Sequence, residues 1–200
     1  MFGRFAVAMT VVGSAAMLVA TSAFAESPPR QTFLGAQDAA YMCAVAAASA
    51  QARGAATEED MAACTMAITL DRENNNRLAA ALTNRSVMHL ARGEYDAAIA
   101  DSDAALKADK KIAEALVNRG VALEMRGRPK EAVTDLTRAL ALGPAHAEVA
   151  YFNRAMALED TGDLRGAYLD YRKAAQLDPH WDRPKKELSR FTVVRRAPTS

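Results

Sequence analysis

Cysteine is nearly absent from this chain: only Cys43 and Cys64 occur, and they form no CxxC pair. That excludes a paired-cysteine zinc site, a dithiol redox centre and CxxCH haem attachment, all of which need closely spaced sulfurs. Histidine is as sparse. His89, His146 and His180 stand in unlike surroundings, and no GxSxG, HExxH or phosphate-loop motif accompanies them. Glycine and proline number only 10 and 7. No stretch alternates apolar and polar residues with β-branched side chains, so neither strands nor a loop-rich scaffold are expected. What remains is abundant alanine in a chain of 200 residues, half of them hydrophobic and 24% charged, enough for one all-α unit with its own core. No catalytic residue, cofactor or metal is expected.

Charge of one sign is also missing. Lysine and arginine total 25 against 24 acids, a balance that calls for no nucleic-acid partner. The exception is local: Arg183, Lys185, Lys186, Arg190, Arg195 and Arg196 crowd the last twenty residues, and a solvated basic tail is the expectation.

The first 25 residues, MFGRFAVAMTVVGSAAMLVATSAFA, contain one charge, Arg4, followed by an apolar run and Ala23-Phe24-Ala25. This order of basic start, apolar centre and small residues at the cleavage site predicts a signal peptide removed after Ala25, hence a periplasmic or secreted protein. The alternative is an uncleaved membrane anchor, since residues 5–25 approach the roughly 20 residues a spanning helix needs.

In an oxidising compartment two cysteines predict a disulfide. Residues 38–53 read as an alanine-rich helix, Gly54 as its break, and Thr57 as the N-cap of a second helix ending near Leu70. Cys43 and Cys64 are equidistant from the Gly54 turn, so a folded-back hairpin brings them to the same height.

Three later stretches, LTNRSVMHLARGEYDAAIADSDAAL, LVNRGVALEMRGRPKEAVTDLTRAL and YFNRAMALEDTGDLRGAYLDYRKAAQL, share a frame. Their turn glycines Gly93, Gly127 and Gly162 are 34 and 35 residues apart, and the same offsets join Ala98, Ala132 and Ala167, then Ala105, Ala139 and Ala174. Small residues in constant phase at this period are the mark of stacked helical hairpins.

Over residues 79–179 the chain resembles the tetratricopeptide repeat family. Ser86, Gly120 and Ala155 meet the family's small position in the first helix, and Pro144 and Pro179 its closing proline. Lys110, His89 and Ser102 depart from the pattern in the first repeat. The resemblance implies a right-handed helical-hairpin solenoid: a disulfide-linked degenerate hairpin at 26–78, repeats at 79–112, 113–147 and 148–181, and a capping helix with basic tail at 182–200. Trp181, Leu188 and Phe191 are expected to face inward in that cap, and Asp60 falls where the degenerate hairpin should carry an alanine.

Each repeat also carries Asn-Arg. Adjacent helical residues diverge by about 100°, so the two cannot share a task. Arg85 and Asp101 are symmetric about Gly93, Arg119 and Asp135 about Gly127, Arg154 and Asp170 about Gly162. These predict structural ion pairs across each hairpin or to its neighbour. The asparagines have no such recurring partner. The resemblance implies that Asn84, Asn118 and Asn153 line a concave groove and contact a bound peptide's backbone, with Val87, Val121, Met125, Phe152 and Met156 beside them. An alternative is that the amides merely join neighbouring helices. Family members that clamp acidic C-terminal peptides add lysines one turn before the asparagine; here those places hold Ala80, Glu114 and Val149. The expected function is a non-catalytic, exported interaction module or scaffold that binds a neutral or basic, partly apolar segment of an envelope protein. A membrane-associated structural component is the alternative.

Overall fold

The computed structural model describes residues 35–192, so the proposed signal segment, Arg195 and Arg196 lie outside the described residues. Among these residues the protein is all-helical, with helices α1 (Ala36–Arg53), α2 (Glu58–Leu70), α3 (Asn75–Ala91), α4 (Tyr95–Ala108), α5 (Ala113–Met125), α6 (Pro129–Leu142), α7 (Ala147–Thr161), α8 (Leu164–Leu177) and α9 (Asp182–Leu188). Four hairpins, α1/α2 through α7/α8, stack in chain order, each touching mainly its neighbours, and α9 lies on α8.

The turns follow from local chemistry. Gly54 ends α1 in the left-handed region at φ 66°, where a side chain would be strained. Thr57 then starts α2 with a capping box: its hydroxyl accepts from Asp60 N at 3.2 Å, and Asp60 Oδ2 accepts from Thr57 N at 2.8 Å. Asp60 therefore serves the start of the second helix, which is why no alanine stands there.

Packing explains the periodic small residues. Ala98, Ala132, Ala167, Ala105, Ala139 and Ala174 are all fully buried. At Gly120 a Cβ would lie 2.8 Å from Leu136 Cγ, so α5 and α6 approach more closely than an alanine allows. In the first repeat, His89 replaces a core leucine and finds a polar solution, Nδ1 lying 2.6 Å from Glu94 Oε2. Ser102 is buried, and its hydroxyl has no hydrogen-bond partner among the described residues.

The first hairpin has its own small core of Ala39, Cys43, Ala47, Ala50, Cys64 and Ala67, closed by Ala81 and Met88 of α3. Alanines bury little apolar area each. The Cys43–Cys64 disulfide, with Cα atoms 4.3 Å apart, joins the two helices there. Closing a loop with a sequence separation of 21 contributes about 3 kcal/mol in the chain-entropy model.

At the other end the cap is aromatic. Trp181 lies 4.8 Å from the Phe152 ring, and Phe191, just beyond α9, packs 5.8 Å from Tyr168 and 6.0 Å from Tyr171. Leu188 joins the same core edge.

Candidate partner-binding face

The arginines define the back of each hairpin. Arg85 donates through Nε and Nη2 to both Asp101 oxygens, each at 2.7 Å. Arg119 holds Asp135 at 2.6 and 2.7 Å, and Arg154 holds Asp170 at 2.6 and 2.9 Å. The fork of a guanidinium matches a carboxylate, and the half-buried setting strengthens the pair. The hydrogen bond that each arginine donates to its aspartate is the main cause that raises the arginine's pKa.

Each arginine has a third bond that the within-hairpin symmetry did not disclose. Nη1 of Arg85 reaches Thr65 Oγ1 at 3.2 Å, that of Arg119 reaches Asp103 Oδ1 at 2.5 Å, and that of Arg154 reaches Thr137 Oγ1 at 3.2 Å. All three partners lie on the second helix of the preceding hairpin. Asp103 and Thr137 stand 34 residues apart, a signal present in sequence once neighbouring hairpins are compared.

A cleft of about 260 Å³ opens beside Arg119 and is lined by Ile99, Asp103, Arg119, Leu123, Arg128, Glu131, Thr134 and Asp135. Its charges are matched internally, because Arg128 also binds Glu131, at 2.7 and 2.8 Å. His146 Nδ1 lies 2.7 Å from Glu148 Oε1, and among the described residues no cluster of three metal-ligating side chains occurs.

The asparagines behave unequally. Asn84, Asn118 and Asn153 are only 4%, 3% and 5% exposed. Asn118 Nδ2 donates to Thr83 O at 3.2 Å and Ser86 Oγ at 2.8 Å, tying α5 to α3. Asn153 Nδ2 donates to Val149 O of its own helix at 2.9 Å, whereas Asn84 makes no side-chain hydrogen bond among the described residues. This differs from an evenly exposed ladder: the amides sit where successive first helices pack, so one is used between helices and one within its helix. Val87, Val121 and Phe152 are buried too. Phe152 is correspondingly a core ring rather than a surface anchor, held between Tyr171, at 5.4 Å, and Trp181. Met125 and Met156 remain partly exposed on the same row of helices.

Against known families, residues 88–147 and residues 149–181 each match a tetratricopeptide repeat profile. These residues carry tetratricopeptide repeats. The first TPR of Spaghetti (RPAP3), solved bound to the HSP90 peptide SRMEEVD, is similar at 26% identity and a TM-score of 0.53, over 56% of this chain and 90% of that one. The MamA protein shares the fold, with a TM-score of 0.59 at 19% identity, over 76% of this chain and 80% of that one. No curated protein sequence matches. Tetratricopeptide repeats form an interaction scaffold, and a protein or peptide partner is the class of ligand they take.

The first helices of these repeats present acids and methionines. Glu114, at a place where acidic-peptide clamps carry lysine, instead accepts from Ala145 N at 3.1 Å, and Val149, at the equivalent place, is buried. Glu159 accepts from Tyr171 Oη at 3.2 Å and pairs with Arg190 of the cap. Glu124 and Asp160 extend the acidic edge beside Met125 and Met156.

Proposed function

We propose that this chain is an exported, non-catalytic interaction module that binds a protein segment of neutral or basic, partly apolar character along its row of first helices. The observation that carries the reading is the position of partly exposed Met125 and Met156 on the row of first helices, where lysines of an acidic-peptide clamp are missing. Methionine side chains adapt to varied apolar partners, and without the clamp lysines the face offers no match to an acidic peptide. Asn84, Asn118 and Asn153 act mainly in packing, and the partner contacts the methionine row beside them. Export and an envelope partner are supported by the signal-like residues 1–25 and by a disulfide suited to an oxidising compartment.

The test is affinity capture from an envelope extract with the chain lacking residues 1–25, against a Met125→Glu, Met156→Glu variant shown by circular dichroism to be folded. The partner is expected to be retained by the parent, lost by the variant, and unaffected by excess SRMEEVD peptide. Equal capture by both proteins, or competition by that acidic peptide, overturns the reading. Among the described residues no helix is long and apolar enough to cross a membrane. The anchored alternative rests on residues 5–25, and N-terminal sequencing of the protein purified from its envelope decides between the two.

A further inference from the structure

The first hairpin carries an outward face that the stack does not use. Of the eight exposed large hydrophobic side chains among the described residues, four belong to this hairpin: Met42 is 49%, Val45 46%, Met66 41% and Leu70 47% exposed. A helical stack must close both ends. The C-terminal end has α9 and its aromatic residues, whereas α1 and α2 carry these side chains opposite their buried Cys43 and Cys64 faces.

On α1 the pattern is ordered. At 100° per residue, Asp38, Met42, Val45, Ser49 and Arg53 fall within a stripe about 80° wide, away from buried Cys43, Ala47 and Ala50. The stripe starts with an acid and ends with a base. An antiparallel copy related by a two-fold axis at the Val45-Ala46 midpoint brings Asp38 opposite Arg53, Met42 opposite Ser49, and Val45 opposite Ala46. Charge and side-chain size are therefore both self-complementary, as an isologous interface requires. Arg53 is bound to Asp60 at 2.5 Å yet its side chain is 48% exposed, and among the described residues Asp38 engages Gly35 N through Oδ2. Both keep donor or acceptor capacity for a second partner.

We infer that the protein forms a two-fold dimer through α1, with a second copy of this chain covering Met42, Val45 and the adjoining Met66 and Leu70. The contact leaves the methionine row of the repeats available in both copies, and it is independent of the partner-binding reading.

The experiment is light scattering coupled to size exclusion over a concentration series, using the chain without residues 1–25. The parent is expected at twice the polypeptide mass. Val45→Glu, which buries two like charges at the two-fold axis, is expected at the single mass with an unchanged circular dichroism spectrum. Asp38→Arg and Arg53→Glu are each expected to weaken dimerisation about tenfold or more, and their combination to restore it. Leu169→Glu on α8 is the control and is expected to leave the dimer intact. A parent of single mass throughout, a Val45→Glu dimer, or a doubly reversed variant no better than either single one overturns the proposal.

Discussion

Arg119 and Asp135 are joined by two parallel hydrogen bonds, Nε to Oδ2 at 2.6 Å and Nη2 to Oδ1 at 2.7 Å. Asp135 is buried, while Asp103, the other acid on Arg119, has a side chain 54% exposed. Asp135→Ala therefore leaves the guanidinium with its weaker partner, and a loss of about 1–3 kcal/mol in urea unfolding is expected. The pair acts as a unit, so Arg119→Ala with Asp135→Ala should cost less than the sum of the single changes. Strict additivity would remove the bridge from the account of stability.

The asparagines should separate by what they bond. Asn118→Ala removes the donor shared by Thr83 O and Ser86 Oγ, and about 1 kcal/mol of stability should be lost. Asn153→Ala removes a bond within one helix, and Asn84→Ala removes none, so their effects should be smaller in that order. Equal losses in all three variants would contradict the unequal packing.

Reduction should weaken the first hairpin selectively. Removing the Cys43–Cys64 bond by reductant, or by Cys43→Ala with Cys64→Ala, is expected to cost about 2–4 kcal/mol there. Hydrogen exchange should then rise in α1 and α2, whose core is mostly alanine, while α5 to α8 keep their protection. An unchanged melting curve under reductant would show that the disulfide adds nothing.

Alkaline unfolding should report Tyr171. Burial, reinforced by the Glu159 charge, pushes its phenol pKa well above the usual range. A raised folded value means the stabilisation is complete below the unfolded pKa of about 10 and is lost as pH rises above it. Each unit of pH above that point removes up to about 1.4 kcal/mol for this one proton. Tyr171→Phe should flatten this part of the pH dependence, at the cost of the hydrogen bond to Glu159, when stability is measured between about pH 9 and pH 11. A slope identical to that of the parent would contradict the assignment.

Much of this architecture is legible in sequence because small residues cannot drift: Ala98, Ala132 and Ala167 must recur where helices meet, and the turn glycines must recur where φ is positive, 73° at Gly93 and 72° at Gly127. The cross-hairpin ion pairs were equally accessible, since a tight turn makes sequence distance from it a measure of height. The period states which positions are equivalent but not what covers them. Phe152 thus occupies a groove-type position in the repeat, yet Trp181 and Tyr171 enclose its ring. The asparagines share one frame while their neighbours differ, so a single role for the three did not follow. The outward stripe on α1 was hidden by its alanine-rich context, where the exposed Met42 and Val45 read as ordinary helix content.

The third bond of each arginine gives the stack a direction. Arg85, Arg119 and Arg154 all reach back to the hairpin made before them, through Thr65, Asp103 and Thr137. Removing whole hairpins from the C-terminal end takes no partner away from the arginines that remain, whereas removing them from the N-terminal end strips the leading arginine of its rearward bond. Each hairpin is thus docked, through its arginine, on the one that precedes it in the chain.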